Sequence, residues 1–486
     1  MKLLATSLFS AALLAAPVLW AQYDVVIANG RVMDPESKLD AVRHVGVKDG
    51  KIAAVSSRPL NGKIVLRAEG RVVAPGFIDL HAHGQTNEAN EYQAHDGVTT
   101  ALELEVGVPS VAEFLKAREN KALIHYGATA AHGALRTLAL SEFAGGKPQG
   151  TALELDLMMK GRYKALTREE EFSTLAAHLE RGLREGGLGI GMAHQYYPAA
   201  SREEIFRVFQ MARRWQAPIF THVRSMGVEA MQEVIANAAA TGVSLHIVHV
   251  NSMSLGALPV VLELIESARK QGIDVTTEAY PYTAASTYLE TTMFDDGWQE
   301  RLGISYGDLQ WEKTGERLTK DTFERYRKEG GAVIMHLMKP EWIERAVAAP
   351  FVIIASDGMP YAPKAHPRSA GTFARVLGVY VRERKALSLM DAIAKMTIMP
   401  ARRLEPVAPA MKNKGRIKVG ADADLTVFDP ARVADTATFE KGLSFSEGIE
   451  HVLVGGVAVV RDGKTAPGVF PGKAVTGRLP AGRSMK

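Results

Sequence analysis

Two histidines one residue apart close the apolar run Ala74-Pro75-Gly76-Phe77-Ile78-Asp79-Leu80-His81-Ala82-His83. On a strand, residues i and i+2 project to the same side, so both imidazoles can reach one ion at the strand's end. Neutral imidazole is the commonest protein metal ligand. Three more polar residues follow short apolar runs of the same kind. His222 comes after Pro218-Ile219-Phe220-Thr221, His249 after Leu245-His246-Ile247-Val248, and Asp357 after Phe351-Val352-Ile353-Ile354-Ala355-Ser356. Taken singly, any of these histidines reads most simply as a hydrogen-bonded structural residue. Four imidazoles and a carboxylate recurring at strand ends instead form a candidate site for one or two divalent ions with N/O ligands, as zinc accepts. Hydrolysis suits such a site, because a bound metal lowers the pKa of water from about 15.7 toward 7. Asp357, at the last strand's end, is placed to accept the water's proton and deliver it to a leaving group.

Strand parity sets His246 apart. It lies three positions before His249, so it is expected on the opposite face, against the helical layer. His95, His178 and His451 fall in helical or sheet context and read as structural. His125, His194, His336 and His366 carry no clear assignment, His366 being placed near the mouth of the site.

The elements that must position these residues follow from the pattern of apolar runs. Between about residues 73 and 405, strand-like runs alternate with helical periodicity, which argues for βα units around a parallel sheet. The expected strands are Val72–Asp79, Thr99–Glu105, Ile124–Ala130, Leu188–Met192, Pro218–Thr221, Leu245–Val248, Val275–Tyr280 and Phe351–Ala355. Eight units favour an α/β fold of the (β/α)8 barrel type, whose active site lies at the strands' C-terminal ends. A segment at 289–342, with Asp295-Asp296-Gly297-Trp298 and a charged helical stretch, interrupts the pattern as an inserted, lid-like piece. Residues 23–72 and 406–486 read as short strands between Asn-Gly, Asp-Gly and Gly-Gly turns, and are expected to form one small β-sandwich from both chain ends.

The chain of 486 residues is 47% hydrophobic and 23% charged, with a net charge of +4, so composition offers no argument for a nucleic-acid partner. It contains no cysteine, which excludes thiolate ligands, a cysteine nucleophile and disulfides. Residues 1–22 combine Lys2, a short apolar stretch and Ala21, the pattern of a secretory signal. The expectation is an exported protein, periplasmic or secreted, with no stable membrane span once the signal is removed. Oligomeric state is not legible.

With these residues assembled, the chain resembles the amidohydrolase superfamily and, more narrowly, the D-aminoacylases (N-acyl-D-amino-acid deacylases). Carrying the resemblance are the Pro-Gly-Phe-Ile-Asp-Leu-His-Ala-His start, His132-Gly133-Ala134-Leu135-Arg136, Thr221-His222-Val223-Arg224 and Tyr280-Pro281-Tyr282-Thr283. They continue with Ser356-Asp357-Gly358, His366-Pro367-Arg368 and Gly371-Thr372-Phe373-Ala374-Arg375. The resemblance implies a metal-dependent barrel acting on a small-molecule N-acyl amino acid, with D-preference. It implies substrate contacts from Tyr197, Tyr280 and Ser286, with Tyr280 also donating a hydrogen bond to the oxyanion. Cyclic-amide hydrolases such as hydantoinases and dihydroorotases, and dipeptidases, share the metal framework and remain the alternative; a non-catalytic scaffold on the same fold is a third.

Two departures from that family stand out. Its cysteine ligand after the second strand is missing: this chain reads Glu103-Leu104-Glu105-Val106-Gly107. Glu105 is expected to take the cysteine's place as a carboxylate ligand, able to bridge two metals. The lysine that the family places two residues after the later histidine is here Asn251, expected to contact substrate by donating hydrogen bonds but without a charge. Arg224 or Arg368 is expected to compensate by binding the substrate carboxylate.

Overall fold

The computed structural model describes residues 22–143, 145–147 and 155–478. Residues 1–21 of the expected signal lie outside the described residues. Among the described residues no helix is long and apolar enough to cross a membrane.

Eight parallel strands form the central sheet, in chain order Phe77–Asp79, Val98–Val108, His125–Ala131, Ile190–Ala193, Ile219–His222, Leu245–Ile247, Val275–Ala279 and Val352–Ile354. All neighbours pair in parallel except the first and last, so the barrel is closed across one seam by single contacts. Asp357 donates its N–H to the His81 carbonyl at 2.8 Å, and His83 donates to the Gly358 carbonyl at 3.0 Å. Ile78, Leu80, Leu102, Leu104, Leu188, Phe220 and Ile353 fill the interior below the site. Helices cover the outside by the usual amphipathic rule: Arg202–Trp215 buries Ile205, Val208, Phe209, Ala212 and Trp215, and Ser201 caps its first turn.

The expected Val72–Asp79 strand is two strands in different sheets. Val72–Pro75 pairs antiparallel with Leu425–Phe428, whereas Phe77–Asp79 opens the barrel. Gly76 makes the crossing: a Cβ there would lie 2.2 Å from Thr99 Oγ1. Val72–Pro75 thereby joins N-terminal and C-terminal strands in one mainly antiparallel nine-stranded sheet, running from Lys51–Ser56 at one edge to Lys464–Thr465 at the other. The inserted piece is built on a three-stranded antiparallel sheet of Ala285–Tyr288, Ala332–Met335 and Leu309–Trp311. Ser286 therefore belongs to that sheet.

Candidate metal centre

Glu105 owes its position to a break in regular pairing. The long strand Val98–Val108 keeps register with its neighbour through Glu103↔Ala128 and resumes at Val108↔Ala130, which leaves residues 104–107 as a bulge. Gly107 takes φ +74°, and a Cβ there would meet Thr129 Oγ1 at 2.6 Å. The Glu103 carboxylate holds the bulge, accepting the N–H groups of Val106 and Gly107 at 3.3 Å each. Two other site residues, His249 and Asp357, have left-handed backbones at φ 30° and 53°, strain of the kind that gathers at functional sites.

The Glu105 carboxylate lies between two histidine pairs. Its Oε2 is 3.1 Å from both His81 Nε2 and His83 Nε2, and its Oε1 is 2.7 Å from His222 Nδ1 and 3.0 Å from His249 Nε2. Asp357 Oδ1 completes the first group at 3.4 and 3.5 Å from His81 and His83. The far ring nitrogens are tied down: His81 Nδ1 donates to Glu278 Oε1 at 2.6 Å, His83 Nδ1 to Glu103 Oε2 at 2.7 Å, and His222 Nε2 to Gln195 Oε1. With those protons outside, lone pairs face inward. His81, His83, Glu105 and Asp357 can each offer one atom to an ion, as can Glu105, His222 and His249, with the atoms of each group within 4.8 Å of one another. Acceptors gathered so closely repel unless positive charge sits among them. Burial opposes charge on His81, yet Asp357, Glu105 and Glu278 outweigh it and hold its pKa well above the usual value.

The other expected site residues divide into two sets. Tyr280 and Ser286 line the cavity over the metal cluster. Arg368 is buried beside them, its guanidinium 4.6 Å from the Tyr280 ring and its Nη1 2.9 Å from Asp357 Oδ2. His366 is not at the mouth of the site; it is buried behind Arg368, whose backbone N–H it accepts at 3.0 Å. Tyr197 does not reach the cavity. Its hydroxyl pairs with His132 Nδ1 at 3.0 Å under Arg136, and its neighbour Tyr196 faces His222 instead. Arg224 is committed elsewhere, bidentate to Glu233 and bonded to the Ala200 carbonyl. Asn251 turns its amide against the Tyr280 carbonyl at 3.2 Å, away from the cavity, so it does not stand in for a substrate-binding lysine. Strand parity also breaks down, because the chain leaves regular strand geometry close to the site.

His246 illustrates this. Its strand ends at Ile247, and the left-handed turn at His249 breaks the alternation, so both rings face the barrel interior. His246 Nε2 is 2.9 Å from Glu278 Oε2, and Glu278 thus links it to His81. Sequence reasoning missed Glu278, although an acidic residue inside an expected barrel strand, Val275–Tyr280, was the available signal. It also missed Glu312, whose Oε1 accepts the Ser286 hydroxyl at 2.6 Å and whose pKa burial pushes up to about 7. Six methionines line the cavity: Met158, Met226, Met253, Met293, Met335 and Met359. The empty space over the cluster, open solvent at its mouth included, is about 610 Å³.

Comparison with known proteins agrees with this geometry. The N-acyl-D-glutamate deacylase of Alcaligenes xylosoxydans xylosoxydans is 31% identical over 487 residues, covering 90% of this chain and 93% of its own. The crystal structure of N-acyl-D-glutamate deacylase from Bordetella bronchiseptica, complexed with zinc and a phosphonate mimic of the tetrahedral intermediate, superposes with a TM-score of 0.80 at 26% identity. That match covers 93% of this chain and 99% of the other. A D-aminoacylase structure concerned with a binuclear metal centre matches with a TM-score of 0.78 at 26% identity, covering 93% and 100%. Residues 65–460 match the amidohydrolase family model, and the chain belongs to the amidohydrolase family.

Proposed function

We propose that this protein is a divalent-metal-dependent hydrolase of N-acyl amino acids, D-configured as in its relatives, which releases a carboxylate and a free amino acid. The observation carrying this reading is the single Glu105 carboxylate shared by two histidine pairs, with Asp357 beside it. His81, His83, Glu105 and Asp357 would hold one ion, and Glu105, His222 and His249 a second, in the N/O surroundings that suit zinc. When bound, such an ion supplies water activated at neutral pH and polarises the amide carbonyl. Glu278, Glu103 and Gln195 fix the tautomers of the rings they hold. The signal-like pattern of residues 1–22 supports reading it as an exported enzyme.

The protein's own groups carry the proton steps. Burial would raise the Asp357 pKa, but Arg368 and His81 more than offset it and keep the carboxylate ionised. Asp357 can therefore accept the proton of the attacking water and give it to the departing amine nitrogen. Burial pushes the Tyr280 hydroxyl up to about 12, so it keeps its proton and can donate to the developing oxyanion. Arg368, whose Nε has no hydrogen-bond partner among the described residues, is the group suited to a substrate carboxylate. The test is Asp357→Asn in metal-loaded enzyme. The expected result is a loss of about 10²–10⁴ in kcat with N-acyl-D-amino acids. Full turnover with unchanged metal content would refute the assigned role.

A further inference from the structure

Beside the metal cavity lies a second chamber, lined by Gln195, Pro198, Ser225, Thr292 and Leu302 among others. Met226 and Met293 line both spaces and form the wall between them. Unbranched thioether side chains readily change rotamer, so this wall can part around a ligand. The charged groups facing the chamber are already engaged. Arg224 pairs with Glu233, Arg301 donates to the carbonyls of Met293, Asp295 and Asp296, and Asp295 is held by Arg327 and the Tyr163 hydroxyl. The space therefore suits a neutral chain better than an ionic one.

Its position fixes which end of the substrate would enter. Asp357, Arg368, Tyr280 and Ser286 belong to the seventh and eighth strand ends and the inserted sheet. The chamber opens at the other side of the metal cluster, beyond Gln195 and Arg224, which follow the fourth and fifth strands. If Asp357 protonates the leaving nitrogen, the amino-acid half lies toward Arg368, and the acyl half points past His222 to Met226 and Met293. We propose that this second chamber is the acyl subsite, and that the enzyme takes N-acyl amino acids with acyl chains well beyond acetyl. This assignment rests on the hydrolase reading above.

The test uses full-length, metal-loaded enzyme and a series of N-acetyl-, N-butanoyl-, N-hexanoyl- and N-octanoyl-D-leucine. Each fully buried methylene contributes roughly fourfold to binding. The expected kcat/KM for octanoyl therefore exceeds that for acetyl by at least tenfold. Met226→Trp, at the wall, and Ser225→Trp, entering from the exposed rim, are expected to cut the octanoyl-to-acetyl ratio tenfold or more. Calorimetry supplies a readout independent of turnover: octanoate is expected to bind the wild type at least tenfold more tightly than acetate, and Ser225→Trp to erase the difference. A flat or falling chain-length profile, or a ratio unmoved in both variants, overturns the acyl subsite while leaving the hydrolase reading intact. Absence of turnover with every chain length, in D- and L-series alike, overturns that reading and the subsite with it.

Discussion

Glu278→Gln isolates the contribution of a residue that touches no candidate ion. Glu278 is fully buried, with Oε1 2.6 Å from His81 Nδ1 and Oε2 2.9 Å from His246 Nε2. Burial opposes its ionisation, but His81 and the His246 hydrogen bond prevail and set its pKa at about 2. It is therefore an anion that takes two ring protons. Glutamine keeps the shape but offers one acceptor oxygen. If that oxygen stays with His81, the amide N–H₂ meets His246 Nε2, which can accept by placing its own proton on Nδ1 toward Thr276 Oγ1, 2.8 Å away. The fold can thus absorb the change, and what is lost is the charge behind the His81 bond. A charge-assisted bond is roughly twice as strong as a neutral one. Removing an outer partner of a metal-ligating histidine typically costs about 10–100-fold in metal affinity, or about 1.4–2.7 kcal/mol.

The expected outcome is a dissociation constant for Zn²⁺ raised by about 10–100-fold, read by competition against a chromophoric chelator. At saturating zinc, kcat should change far less, since no proton-carrying group has moved. Glu278→Leu, which leaves His81 Nδ1 and His246 Nε2 facing a hydrocarbon side chain, should lose more affinity and also thermal stability. Unchanged zinc affinity in Glu278→Gln, with a native circular dichroism spectrum, would refute the view that this carboxylate holds His81 in its ligating state.

Other substitutions probe separate parts of the site. Glu105→Gln should lower metal content by at least one ion per chain by atomic emission, because its amide N–H₂ must face one of the two histidine groups; unchanged stoichiometry would show that the carboxylate is not shared. Gly107→Ala forces a side chain into a left-handed position against Thr129 and should destabilise the protein by roughly 1–3 kcal/mol in urea unfolding while weakening zinc binding. Glu312, pushed up to about 7 by burial, binds its proton more tightly folded than unfolded, so its contribution to stability is present below about pH 4.5 and is lost as pH rises through 7. The Tm of Glu312→Gln minus that of wild type should therefore be more positive at pH 8 than at pH 5, and an equal difference at both would contradict a buried acid there.

The ligand set was readable from sequence for a physical reason. A barrel strand that must be buried on both faces is an apolar run, and a polar residue ending such a run has few places to be except the active end. This logic picked out His81, His83, His222, His249 and Asp357, and the structure gathers them all within reach of Glu105. It failed one layer out. Glu278 and His246 sit inside a run rather than at its end, and only three-dimensional pairing brings them onto His81. Tyr197 and Tyr196 are adjacent, and a one-residue uncertainty in where the 3₁₀ turn after Ile190–Ala193 begins exchanges the buried ring for the one in the cavity. Arg224 was a cation in the right neighbourhood, but its partner Glu233 lies nine positions away on the following helix, and no spacing rule singles out that pair.

The barrel seam connects folding to chemistry in a way the ligand list alone does not. The first and last strands share no ladder. In its place the Asp79 carboxylate, buried and pushed up to about 6, accepts the backbone N–H groups of His81 and Ser356 at 3.1 and 3.0 Å and also the Ser356 hydroxyl. Asp357 N–H then reaches the His81 carbonyl. The distance between the His81/His83 pair and Asp357 is therefore set by hydrogen bonds across the gap, from the Asp79 carboxylate and the main chain, rather than by apolar packing. An ordinary ladder would place successive residues on alternating faces. The left-handed turn at Asp357 instead aims its carboxylate at both imidazoles while its backbone still closes the barrel. Strain at φ 53° is affordable here because Asp79, Ser356 and Arg368 together over-determine the position. The group assigned to carry the proton is thus held by the same contacts that close the sheet, so the geometry of the reaction is built into the completion of the fold.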